Sequence, residues 1–223
     1  MKRYLSVMML LVCSVALFAQ QEVTRFLGIP VDGEKSEMIQ KLKEKGFKND
    51  AYNKDALVGN FNGSEVKVFI DTNNDKVCRI MVCDANLMNA GDIRIRFNTL
   101  CRQFQKNEKY IPASSSDYTL SEEEDISYEM TVNHKRYEAG YYQRPAADFS
   151  NEITTILQDK YSEEVLKNPT EEQQKEMVEI AASYMFDKYS NNFVWFMIHE
   201  FYGEYYIAMY YENRYNMPNG EDL

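Results

Sequence analysis

Asn62-Gly63 sits between two segments whose apolar residues alternate, 56–61 and 65–71. A two-residue link of this kind needs positive φ at both positions. Asn and Gly tolerate that geometry, and its twist matches that of paired antiparallel strands. The pair therefore commits the two segments to an antiparallel hairpin. The turn Thr72-Asn73-Asn74-Asp75 leads into a third strand at 76–83, on which Cys78, Ile80 and Val82 share one face. Two more hairpins are predicted: 126–132 with 136–143 around Asn133-His134-Lys135, and 193–201 with 204–213 turning near Gly203.

Helical patterns separate these hairpins. Met38, Ile39 and Leu42 form a stripe after Asp32, which is the expected N-cap, and Gly46-Phe47 reads as a glycine-terminated helix end. The clearest helix carries Ile93, Phe97, Leu100, Cys101 and Phe104 on one face. A further helix is expected from about Asp148. Thr170-Glu171-Glu172-Gln173 has the pattern of a capping box opening a longer one. Short hairpin links imply antiparallel pairing, and helices between groups of hairpins imply an α+β fold, with the helices packed on one sheet face. One α+β domain over residues 20–223 is expected. The polar 107–125 loop, with Ser114-Ser115-Ser116 and the acidic run at 122–125, offers the one internal sub-boundary.

Residues 1–19 have the layout of a secretory signal peptide: Lys2-Arg3, an apolar core, then Ala19 before Gln20-Gln21-Glu22. The core is short for a membrane span. The expectation is an exported protein, periplasmic or extracellular, with no membrane insertion after cleavage. Removing Lys2 and Arg3 takes the formal charge from −10 to −12. A chain this acidic is a poor partner for nucleic acid, which is held through phosphates by Lys and Arg. Cys78, Cys83 and Cys101 remain in the mature chain. Cys78 and Cys83 lie too far apart along one strand to bond with each other. Cys101 either pairs with one of them or, like both, is a buried thiol.

The chemistry-bearing motifs are sparse. Asp71-Thr72-Asn73-Asn74-Asp75 opens like a calcium loop, but Lys76 and Val82 stand where glycine and the bidentate glutamate belong, so a plain turn is expected. His134 and His199 have no metal-ligand spacing. No nucleophile elbow, phosphate loop or dinucleotide fingerprint occurs. No metal, no cofactor and no catalytic residue is assigned.

Seventeen tyrosines stand out. Tyr141-Tyr142, Tyr205-Tyr206 and Tyr210-Tyr211 are adjacent pairs on predicted strands, so one ring of each faces the core and the other the far side. On 204–213 the set Tyr205, Ile207, Met209 and Tyr211 is the more apolar and should face the core. Tyr206 and Tyr210 are then the ligand-contact candidates, joined by Tyr141 or Tyr142. One ring of each pair is expected to be solvent-exposed, and the exposed rings to cluster.

The segments 26–33 (FLGIPVDG), 93–98 (IRIRFN) and 219–223 (NGEDL) resemble those of uncharacterised exported proteins from Bacteroides-type gut bacteria. The resemblance implies export and carries neither an activity nor site residues. The helix-plus-hairpin units are also similar in layout to the small domains of the β-lactamase inhibitory protein, without a shared motif. The functional expectation is a non-enzymatic binding module of the cell envelope. It would recognise a protein or glycan of the envelope or extracellular space through an aromatic sheet face. The alternative is a hydrolase of envelope or dietary polymers with a carboxylate-based site.

Overall fold

The turns expected at Asn62-Gly63, within Thr72-Asn73-Asn74-Asp75 and near Gly203 lie at the centre of the architecture, each closing over two residues. In the structure, a computed structural model describing residues 22–144, 149–218 and 220, Asn62-Gly63, Asn74-Asp75 and Tyr202-Gly203 all have positive φ at both positions. They join β4 (Ala56–Phe61) to β5 (Ser64–Asn73), β5 to β6 (Lys76–Asp84), and β9 (Asn192–Phe201) to β10 (Glu204–Asn213). Residues 1–19, read from sequence as a signal peptide, lie outside the described residues, as do parts of the 216–223 tail.

Eight strands form one antiparallel sheet in the order β3-β4-β5-β6-β10-β9-β8-β7, where β3 is Lys48–Asn49, β7 Tyr110–Pro112 and β8 Glu138–Gln143. It consists of two four-stranded meanders, β3 to β6 and β7 to β10, joined where β10 pairs with β6. Arg25–Phe26 (β1) and Ile29–Pro30 (β2) make a separate small hairpin that carries Phe26 into the core against Tyr211, 4.9 Å between ring centroids. The fold is α+β.

Two helices cover one sheet face. α1 (Lys35–Glu44) buries Met38 and Leu42 beside β5 and β6. Its end has the expected geometry: Phe47 N–H donates to Leu42 O at 3.2 Å and Gly46 N–H to Lys43 O at 3.0 Å. Its N-cap is Glu34 rather than Asp32. Asp32 is drawn off instead, its Oδ1 accepting from Gly33 N–H and the Asn216 amide. α2 (Ala90–Lys106) buries the expected stripe Ile93, Phe97, Leu100, Cys101 and Phe104, with Phe97 edge-on to Phe196 at 5.2 Å.

Residues 126–132 form a helix, α3 (Ile126–Val132), and not a strand of a hairpin. Asp125 caps it by accepting from Tyr128 N–H. The alternating apolar residues misled because only Ile126 is buried and Met130 packs one turn on, while Tyr128 and Val132 face solvent. The 107–125 loop contains β7, and its Tyr118 and Leu120 pack against the main core.

The remaining helices, α4 (Ser150–Lys160), α5 (Glu163–Lys167) and α6 (Glu171–Ser190), form an arm that contains no buried residue. Thr170 and Gln173 close the expected capping box at the start of α6. Phe186 of α6 meets Tyr142 at 6.0 Å, on the sheet face opposite α1 and α2. Helices confined to one face therefore do not describe α6.

Candidate functional site

Strand alternation gives the sheet a second, open face. On β9 Val194, Phe196 and Ile198 point to the helices, so Phe193, Trp195, Met197 and His199 point away. On β10 Tyr206, Ala208, Tyr210 and Glu212 do the same. Register lines them up across strands. Phe69, Met81, Tyr210 and Trp195 make one row. Lys67, Cys83, Ala208 and Met197 make the next. Tyr206 lies opposite His199. The helix seen on this face among the described residues is α6, which lies against β8 and β9 and meets Tyr142.

These side chains cover one another. Trp195 and Tyr210 stack at 4.2 Å and 17°. His199 and Tyr206 stack at 5.1 Å and 13°. The Arg79 guanidinium lies 5.6 Å from the Tyr210 ring, leaving that ring between an indole and a cation. Glu212 ties the row together, accepting from Trp195 Nε1 at 3.0 Å and Arg79 Nη2 at 2.9 Å. His199 Nε2 and the Tyr210 hydroxyl are 3.1 Å apart. Burial, then the Arg136 charge, hold the His199 pKa below its usual value. Burial pushes the Tyr210 phenol up to about 12 and also raises Tyr206.

The predicted tyrosines divide between the faces. Tyr206 is on the open face and half-buried. Tyr210 is there too, but at 9% exposure it is buried, because Trp195 and Arg79 enclose its ring. Tyr142 is half-buried on the same face, between Phe193 and Phe186. Tyr141 faces the helices, fully buried and stacked on Phe104 at 4.6 Å, and offers nothing to a ligand. Rings clustered on one face match the expectation; ready exposure of each does not. Trp195, Met81, Met197 and the Arg79–Glu212 pair complete the face and were not singled out from sequence; His199, weighed there as a metal ligand, joins them. The period-two pattern of 193–199 was the signal that could have found them.

The covered side holds a cleft of about 1090 Å³ between β1, the β4–β5 turn, α2 and the β7–β8 edge. Asn62 Nδ2 donates to Gln103 Oε1 at 2.6 Å across one rim. Gln143 pairs with the backbone of Arg25, accepting from its N–H at 2.7 Å and donating to its carbonyl at 3.1 Å. Its carboxylates are Glu22 and Glu108, and His199 lies on the other side of the sheet.

Cys78, Cys83 and Cys101 are free thiols. Burial pushes Cys83 up to about 11 and Cys101 up to about 12, so neither is a thiolate nucleophile near neutral pH. Residues 71–73 end strand β5 and Asn74-Asp75 make the turn, with Asp71 facing Arg79 at 3.9 Å. Among the described residues no three of His, Cys, Asp and Glu come together as a metal-binding group. Compared with protein-family models, curated proteins and solved structures, the chain matches none.

Proposed function

We propose that this protein is an exported, non-enzymatic module that binds another protein through the open face of its sheet. The observation that carries the reading is the apolar face itself. Phe69, Met81, Trp195, Met197 and Tyr206 form a half-exposed surface that, among the described residues, no helix is seen to cover. Contiguous apolar patches on a folded surface mark interaction sites, and Trp, Tyr, Met and Arg are the residues enriched at their centres.

A protein fits this face better than a glycan. Sugar stacking needs free ring faces, and here Trp195 is stacked on Tyr210, Tyr206 on His199, and Arg79 lies over the second side of Tyr210. The surface is flat and ringed by charges of both signs, Lys67 and Arg79 with Asp71 and Glu138, which suits a polar rim. The carboxamide-rich cleft supports a binding role over polymer hydrolysis, since carboxylates do not converge in it.

The test compares wild type with Met197→Glu in capture from envelope extract. A species retained by wild type and lost by the variant, at an unchanged thermal midpoint, is the expected result. Equal retention by both contradicts the reading. Export rests on residues 1–19: N-terminal sequencing of protein recovered from periplasm or medium should begin near Gln20, and an intact Met1 contradicts it.

A further inference from the structure

The cleft has a chemistry of its own. Phe104, Tyr110, Met209 and Tyr211 give it an apolar and aromatic floor. Six carboxamides line it: Asn60, Asn62, Gln103, Asn107, Gln143 and Asn192. Charge is locally reversed. Arg25, Lys109 and Arg144 line it against Glu22 and Glu108, in a chain with 35 acidic and 25 basic residues. Among the described residues none of those three cations is in an ion pair.

Asn192 is the most telling residue. It is 1% exposed and lines the cleft, and its Oδ1 has no hydrogen-bond partner. Buried polar atoms are nearly always paired, so this acceptor calls for a donor the chain does not supply, a water or a ligand hydroxyl. Arg79 and Arg96 also carry an orphan Nε, but each already bonds a carboxylate through Nη2. Asn192 has no such alternative.

We propose that this cleft binds an acidic sugar, a polyhydroxylated ring bearing a carboxylate. A pyranose has hydroxyls that both donate and accept. Carboxamides also do both; Asn62 with Gln103, and Gln143 with Arg25, are engaged within the wall, which leaves Asn60, the Asn107 amide nitrogen and Asn192 for neighbouring hydroxyls. The three unpaired cations supply the attraction for the carboxylate. At about 1090 Å³ the cleft has room for a short oligosaccharide rather than one ring. The site is independent of the open face and stands or falls separately from it.

Calorimetric titration of the mature chain with trigalacturonate and with neutral galactotriose tests this. Saturable binding of the uronate is expected, with the neutral sugar weaker by about tenfold or more. Asn192→Leu should weaken uronate binding by a similar factor and leave the thermal midpoint equal or higher, because an unpaired buried acceptor has been replaced by an apolar side chain of similar size. If that variant does not fold, Lys109→Gln with Arg144→Gln, both at exposed positions, should weaken the uronate and leave the neutral sugar unchanged. The proposal is overturned by absence of saturable binding up to roughly 5 mM. Equal affinity for the two sugars overturns it, as does uronate binding that none of these substitutions weakens.

Discussion

The two faces of the sheet are built by the same strands and carry the same kinds of side chain, yet they end in different states. On the covered face Phe97, Phe196, Tyr141 and Tyr211 are buried by α2 and the β1–β2 hairpin. On the open face Trp195 has Tyr210 and Tyr206 has His199, and Phe69, Trp195 and Tyr206 remain half-exposed. Alternation along β9 and β10 places one residue on each side in turn, so the difference lies in what packs above the sheet. A face that needed only solubility would be polar. Apolar side chains kept half-exposed there are what the proposed partner would cover.

The comparison breaks first at the covered face if it is wrong there. Phe97→Ala should cost about 3–5 kcal/mol, the range for a fully buried aromatic, read from the denaturation midpoint. A midpoint within error of wild type would remove α2 from the core. A smaller effect is expected on the open side. Trp195→Ala loses a stacked, half-buried ring and the bond to Glu212, for about 1–3 kcal/mol. Tyr206→Ala, at the edge of the patch, should cost about 1 kcal/mol or less while abolishing partner capture. If Tyr206→Ala matched Phe97→Ala in cost, the open face would be core.

The finest distinction is pH. His199 is held in its neutral form by burial and by Arg136, so its folded pKa lies below the value of about 6.5 it has when unfolded. The stability this confers is present above that value and is lost as pH falls through the folded pKa. Because the ring is partly solvated, the loss should stay under about 1 kcal/mol. Between pH 7 and 5.5 the wild-type midpoint should fall slightly, and that of His199→Gln should fall less. Protonation beside Tyr206 should also weaken capture over the same range.

Legibility in the sequence followed how locally each feature is determined. Asn62-Gly63 and Asn74-Asp75 specify their turns within four residues, and the stripe from Ile93 to Phe104 specifies its helix. Thr170 and Gln173 do the same for α6. Strands β1, β2, β3 and β7 run only two or three residues and exist because distant segments pair with them or hold them. The β6–β10 junction joins residues more than a hundred apart, which no local pattern encodes. At 126–132 alternation favoured a strand, and the Asp125 cap with Ile126 and Met130 one turn apart prevailed.

The site divides the same way. Tyr206 and Tyr210 could be placed on one face by counting along β10, but their exposure could not, since it depends on Trp195 and Arg79 from other strands. The Tyr141-Tyr142 choice needed the neighbours Phe104 and Phe186, each from a separate helix. The cleft was illegible altogether, because its carboxamides come from four separate stretches of chain.

The central claim is that the open face, and no other exposed surface, meets a protein partner. A photo-crosslinking amino acid placed at Tyr206, and separately at Tyr52, which is 98% exposed on the β3–β4 loop, tests it in the cell that makes the protein. The account predicts one discrete adduct from position 206, heavier than a doubled 26.2 kDa chain or distinct from it by mass, lost when Met197→Glu is added, and none from position 52. No adduct from position 206, the same adducts from both positions, or an adduct indifferent to Met197→Glu would contradict it. A doubled chain alone would replace the foreign partner with a second copy.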